Sequence, residues 1–275
     1  MTETPTASRS RRVPGRAEHS AVTRWTLGVS AVVAVIALWE SLTRVGVVDP
    51  NVIPSAGAVL GAWGEAVSGA NYWTDLWATL SGALAGLAIA VAIGSVASFL
   101  IGLIRSVEES TFFVIEFLKP IPPIALIPLG LLLWGPAPTM KISLVAFGAL
   151  WPFLTQMLYG LRQTNGVALE MARSYRLGWY LTLKCVHLPS LTPFALTGAR
   201  ISASLAVIVA VVVELVGGAA GLGQTITVAQ ANGLLPVMYA YILTAGVLGM
   251  AINLIFRAAE RSLLFWHPSQ RSEAT

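Results

Sequence analysis

The residues able to do chemistry in this chain are charges set where charge is expensive. Glu40, Glu116, Lys119, Lys141, Arg200 and Glu214 interrupt long apolar runs. Ionisable groups in such runs face an opposite charge or a water-filled path. Glu116 and Lys119 are three residues apart, a spacing that puts both on one helix face. Arg200 falls where it can join them at one end of the molecule, and Lys141 and Glu214 fall where they can pair near the other. In the functional reading each cluster borders a gate, and the cations help an anionic cargo pass. The plainer reading is ion pairs that only fix helix packing, or lysines whose stems let the ammonium snorkel to an interface.

Catalytic chemistry has no comparable constellation. The three histidines, His19, His187 and His267, lie in polar flanks, so no apolar run holds the base a buried serine nucleophile would need. Cys185 is alone, and no set of His, Cys and carboxylate residues converges on metal-ligand spacing. Gly217 to Thr225, GGAAGLGQT, mimics a phosphate loop, but no strand precedes it and no lysine follows. A hinge or short re-entrant turn is the expectation there. No G-x-x-x-x-G-K-[ST] occurs anywhere, so the chain is expected to bind no cofactor and to catalyse nothing itself.

The elements that must position these charges are membrane helices. The 275 residues are 56% hydrophobic and 11% charged, with mean hydropathy +0.74, against about 25% charged in an ordinary soluble domain. Apolar runs of roughly 20 residues recur, long enough to cross about 30 Å of hydrocarbon. The expected fold is all-α: a polytopic bundle of six spans, near residues 25–45, 76–104, 112–134, 139–159, 191–216 and 237–256. Lys and Arg crowd the tail before the first span, the segment 162–189 and the C-terminal flank, while the stretch from Gly46 to Asp75 has none and carries Asp49, Glu65 and Asp75. The positive-inside bias then puts both termini in the cytoplasm. Trp25 and Trp266 mark inner boundaries, and Trp73, Trp77 and Trp134 outer ones. The chain divides into a disordered basic tail (1–23), a first span with an external loop (24–75), a core (76–266) and a short cytoplasmic tail (267–275). Ser10-Arg11-Arg12-Val13 resembles the start of a twin-arginine signal, but the run after it has full transmembrane length. The net charge of +4 belongs to membrane topology rather than to nucleic-acid binding.

Two spans carry further patterns. Gly82, Gly86, Ala90, Gly94, Ser98 and Gly102 recur every four residues, a stripe that lets two backbones approach closely. Packing within one subunit is the simpler reading, and a subunit interface the other. The third span contains Pro120, Pro122, Pro123 and Pro128, too many for an unbroken helix. Broken backbone at membrane depth is tolerated where protein or a cavity satisfies it, which points to a helix lining a pathway.

Between Arg162 and Pro189 the chain is too polar to cross a membrane and too patterned for a slack linker. Asn165 can cap a short helix reaching about Arg176, with Met171, Ala172 and Tyr175 as its apolar stripe. A second amphipathic piece follows Gly178, and Leu188-Pro189 is expected to end it. Such a basic helix can lie on lipid or dock in a partner's groove.

This segment resembles the EAA loop of bacterial ATP-binding-cassette importer permeases: Glu170 and Ala172 open it, with Met171 between them in place of an alanine, and Leu188-Pro189 closes it. The chain from Val52 to Trp266 is similar to the nitrate/sulfonate/taurine-type permeases. The matching residues are Val52 to Val59 (VIPSAGAV), Lys119 to Leu129 (KPIPPIALIPL), Lys141, Trp151-Pro152, Gly160-Leu161-Arg162, Glu214, Gly221-Leu222-Gly223 and Glu260 to Leu264. The resemblance implies a permease that pairs with a second copy, most simply as a homodimer. It implies a separate ATPase subunit that spends the ATP and an extracytoplasmic protein that delivers cargo. It makes Glu170, Met171, Ala172, Arg173, Tyr175, Arg176, Gly178, Leu188 and Pro189 the ATPase-coupling element. Glu116, Lys119, Pro122, Pro123, Lys141, Arg200 and Glu214 become candidates for the pathway or its gates. The loop's usual glycine, six residues after the glutamate, is Arg176 here, so either the turn moves to Gly178 or the helix lengthens. A secondary transporter is the alternative, but it would show inverted repeats and a second broken helix, and neither is seen.

Overall fold

The structure is a computed structural model, and it describes residues 21–47, 49 and 52–264, with side chains from Thr26 onward. The two tails, Trp266, His267 and the side chain of Trp25 lie outside the described residues.

The chain forms two compact units, one ending at Gly57 and the other beginning at Ala58. The first contains α1 (Ala21–Arg44), apolar around its whole circumference as lipid demands. Glu40 closes its C-terminal end, accepting from Arg44 Nε at 2.8 Å and from the Gly57 N–H at 3.2 Å.

The following elements are α2 (Ala56–Ser68), α3 (Ala70–Leu103), α4 (Arg105–Leu118), a 3₁₀ turn (Pro123–Leu126), α5 (Ile127–Trp134), α6 (Pro138–Arg162), α7 (Gly166–Ser174) and α8 (Trp179–Thr182). A π turn (Leu183–His187), α9 (Leu188–Gly217), α10 (Leu222–Ala231) and α11 (Leu235–Leu263) complete it. The stretch from Gly46 to Asp75 is therefore no plain loop. It carries α2, and α3 begins at Ala70, six residues before the expected start. With 34 residues α3 is about 51 Å long, more than the hydrocarbon layer needs.

The small-residue stripe of α3 faces α6. A Cβ added at Gly82, Gly86, Gly94 or Gly102 would meet Lys141, Val145, Phe153 or Leu161 in turn. A ridge of every fourth residue on α6 thus lies in a groove of every fourth residue on α3. This is packing within one chain, and the pairing order shows that the two helices run parallel. The segment between them must therefore recross the layer. It does so as α4 and α5, two pieces bent by 81° at the proline run. With this pair counted as one, the described residues contain six candidate spans. The bend has a covalent cause, since Pro120, Pro122 and Pro123 supply no N–H and obstruct the preceding turn.

α9 packs antiparallel to α6 and against α3 as well. Ser202 Oγ donates to the Ala149 carbonyl at 2.8 Å, and Gly160 and Gly217 give room to Phe194 and Met140. Met140, Leu144, Val145, Ala149, Ala206, Val209, Ala210 and Val213 form the dry centre between these helices.

Candidate functional site: a locked end, a broken helix and a docking loop

Lys141 and Glu214 meet in the buried interior. Lys141 Nζ lies 2.8 Å from Glu214 Oε1, and neither side chain reaches solvent. The remaining ammonium protons go to the carbonyls of Ala78 (2.7 Å) and Ala220 (2.8 Å), so all three donors are used. Glu214 Oε2 accepts from Thr79 Oγ1 at 2.8 Å and from the Gly223 N–H at 3.0 Å, while Thr79 Oγ1 accepts from the Leu222 N–H at 2.9 Å. Five separate pieces of chain are tied here: α3, α6, α9, the turn after α9, and the start of α10. Lys141 does not snorkel, and in this arrangement it has no proton left for a cargo anion.

The network accounts for the glycines between Gly217 and Gly223. Gly218 and Gly221 have φ of +70° and +147°, which turn the chain back over the carboxylate. A Cβ on Gly221 would overlap the Glu214 carboxylate, and one on Gly223 would overlap the Val211 carbonyl. The segment expected to be a hinge or short re-entrant turn is a wrapped turn leading into the ten-residue α10.

Arg200 does not join Glu116 and Lys119. Its Nη1 pairs with Glu260 Oε2 at 3.0 Å, and Glu260 Oε1 accepts from Thr197 Oγ1 at 3.1 Å, joining α9 to α11. Glu116 and Lys119 pair with each other at the C-terminal end of α4 at 3.0 Å, half-exposed. Lys119, Pro122 and Pro123 line an open cavity of about 450 Å³ at the bend, together with Gly148, Trp151, Thr155 and Leu205. Glu116 lines a smaller neighbouring cavity of about 170 Å³ that also contains the Arg162–Glu108 ion pair of 2.7 Å.

The polar segment folds as a short helix and a tight turn. Asn165 Oδ1 caps α7 by accepting from the Val167 N–H at 2.9 Å. At the other end the Arg176 N–H donates to the Arg173 carbonyl and the Leu177 N–H to the Ala172 carbonyl, both at 2.9 Å. This pair of bonds is the Schellman closure, whose pivotal residue adopts a left-handed conformation. That residue is Arg176, with φ +52°, whereas Gly178 has φ −63°. The turn therefore stays six residues after Glu170, and both expectations for it are corrected. Of the expected stripe only Ala172 is buried; Met171 and Tyr175 are exposed, the tyrosine at 75%. Trp179, Tyr180 and Leu181 are exposed beside them. Among the described residues Glu170, Arg173 and Arg176 form no ion pair.

Leu188-Pro189 begins α9 instead of ending the piece before it. The Leu188 N–H reaches back five residues to the Leu183 carbonyl, and this wider π turn makes room for the Pro189 ring. The backbone is already helical from Trp179 through His187, so Leu188-Pro189 lies within a continuous helical run.

The residues that sequence reasoning missed are uncharged, Thr79 and Thr197, while Trp151, Gly223 and Glu260 were visible only as part of a resemblance.

Among solved structures, the inward-facing MetNI methionine transporter matches the fold with a TM-score of 0.61 at 20% identity, covering 70% of this chain and 95% of that one. The Bacillus subtilis protein named "Putative aliphatic sulfonates transport permease protein SsuC" is 27% identical over 94% of this chain and 92% of its own length. The taurine transport system permease protein TauC of Escherichia coli is 27% identical over 88% and 90%. Residues 90–264, from α3 through α11, match the family profile described as binding-protein-dependent transport system inner membrane component, and the chain belongs to that family.

Proposed function

We propose that this chain is the membrane-spanning subunit of an ATP-driven importer in a bacterial cytoplasmic membrane, with α7 and α8 seated in a separate ATPase. It pairs with a second copy of itself, receives cargo from an extracytoplasmic binding protein, and leaves ATP to the partner, binding no cofactor of its own. The relatives named for aliphatic sulfonates and taurine support a small sulfonate or similar anion as cargo.

The observation that carries this reading is the loop 162–189. It opens with a capped helix, with Ala172 turned into the chain and Met171, Tyr175, Trp179 and Tyr180 left outside. It also runs through a π turn directly into α9. A push on α7 would therefore reach a helix that spans the bundle. The test is purification in mild detergent with mass spectrometry of what accompanies the chain, repeated with Glu170→Ala/Arg173→Glu. Recovery of an ATPase with the wild type and its loss in the variant are expected. Purification of the wild type alone would contradict the proposal.

A further inference from the structure

We propose that the Arg162–Glu108 ion pair is a positioning tie. It fastens the inner half of the broken span to the root of the coupling loop, so that movement of α7 reaches the proline break as well as α9. The tie deepens the importer reading and rests on it. Arg162 is the last residue of α6, and α7 begins at Gly166. Its guanidinium donates twice to one oxygen of Glu108, from Nε at 3.1 Å and from Nη2 at 2.7 Å. Two donors of one planar group set direction as well as distance. Glu108 lies in the first turn of α4 and Arg162 in the last turn of α6, so each charge also suits the dipole of its own helix.

α4 is built as a strut that needs such a tie. It is hinged at both ends by non-helical backbone, at Ile104 and at the proline run. None of its residues is buried. Arg105 donates to Glu109, Ser110 to the Ser106 carbonyl and Thr111 to the Val107 carbonyl, all within the helix, and Lys119 donates to Glu116 at its end. Among the described residues Glu108–Arg162 is therefore the one side-chain hydrogen-bonded link from α4 to the rest of the bundle. Ile115 and Leu118 add apolar contact with the cluster of Trp151 and Leu154 near the break. Open space flanks the start of the strut, where cavities of about 170 and 480 Å³ are both lined by Glu108 and Phe112. A helix with few buried contacts and room beside it follows whatever holds it. The side chains of Arg162 and Glu108 are 60% and 35% exposed, and a pair so wetted adds little to stability. It can be broken and remade in each cycle, unlike the buried Lys141–Glu214 pair, and the bias it carries is no larger than its own strength.

The test uses the whole transporter, with ATPase and binding protein, in liposomes and measures taurine moved and ATP hydrolysed. Glu108→Gln and Arg162→Gln should each lower the taurine moved per ATP about two- to fivefold, the size of one exposed ion pair. ATP hydrolysis and the unfolding temperature should stay at the wild-type level, because α7 still docks and α9 still moves. The exchanged double variant Glu108→Arg/Arg162→Glu should recover more of the ratio than either single variant. Taurine transport and ATP hydrolysis that fall in the same proportion would make the pair a packing contact and overturn the tie. So would single variants with the wild-type ratio, or an exchanged variant no better than the singles. The importer reading fails separately, if no ATPase assembles with the wild type.

Discussion

Lys141 Nζ lies 2.8 Å from Glu214 Oε1, and the pair joins α6 to α9 with no access to water. Removing one member of such a pair strands the other charge, at a cost of about 3–5 kcal/mol. Lys141→Met and Glu214→Gln should each lower the thermal unfolding temperature in detergent. The double variant should recover only part of the loss, because Thr79, Gly223, Ala78 and Ala220 also lose partners. If Lys141→Met protein that does fold transports like the wild type, the lysine is a strut and not a contact for cargo.

Arg176 occupies a left-handed position that a side chain enters at a cost of roughly 1–2 kcal/mol. Arg176→Gly should therefore stabilise the loop by about 1 kcal/mol, and Arg176→Val should destabilise it, because a β-branched residue at positive φ is strained. Hydrogen exchange at the Leu177 amide, the donor that closes the turn, would report both changes.

Gly86 and Gly64 provide a matched contrast. A Cβ at Gly86 would sit 2.5 Å from Val145 Cγ1 and 2.9 Å from the Ile142 carbonyl, whereas nothing lies within 4 Å of one at Gly64. Gly86→Ala should cost about 1–3 kcal/mol by forcing α3 from α6. Gly64→Ala, in the interior of α2, should gain about 0.5–1 kcal/mol. Unfolding temperatures of the two variants in the same detergent decide it.

What the sequence made legible follows from cost. A 20-residue apolar run has few alternatives to a membrane span, so the spans were readable, although the broken third began seven residues early, at Arg105. Lys141 and Glu214 were readable as a pair because an unpaired charge in such a run is so expensive. Arg200 was misassigned for the complementary reason: Glu116 and Glu260 are equal as carboxylates, and only the packing of α11 against α9 chooses between them. Arg176 was misread because glycine is the residue that enters a left-handed turn without cost, and Gly178 was close by. Thr79 gave no signal, and Trp151 gave none beyond its place in a resemblance. A threonine in an apolar helix reads as packing, and an indole N–H without a partner is a property of three dimensions alone.

The central claim is that the bundle moves its solute only when α7 is driven by ATP turnover in a partner. The most direct measurement is uptake of radiolabelled taurine into liposomes containing the chain with its co-purified ATPase and binding protein. ATP would be present or absent, and wild type would be compared with Glu170→Ala/Arg173→Glu. The account predicts accumulation that requires ATP and is abolished in the variant although the bundle remains folded. Accumulation by the chain alone without ATP would contradict it and make the protein a secondary transporter.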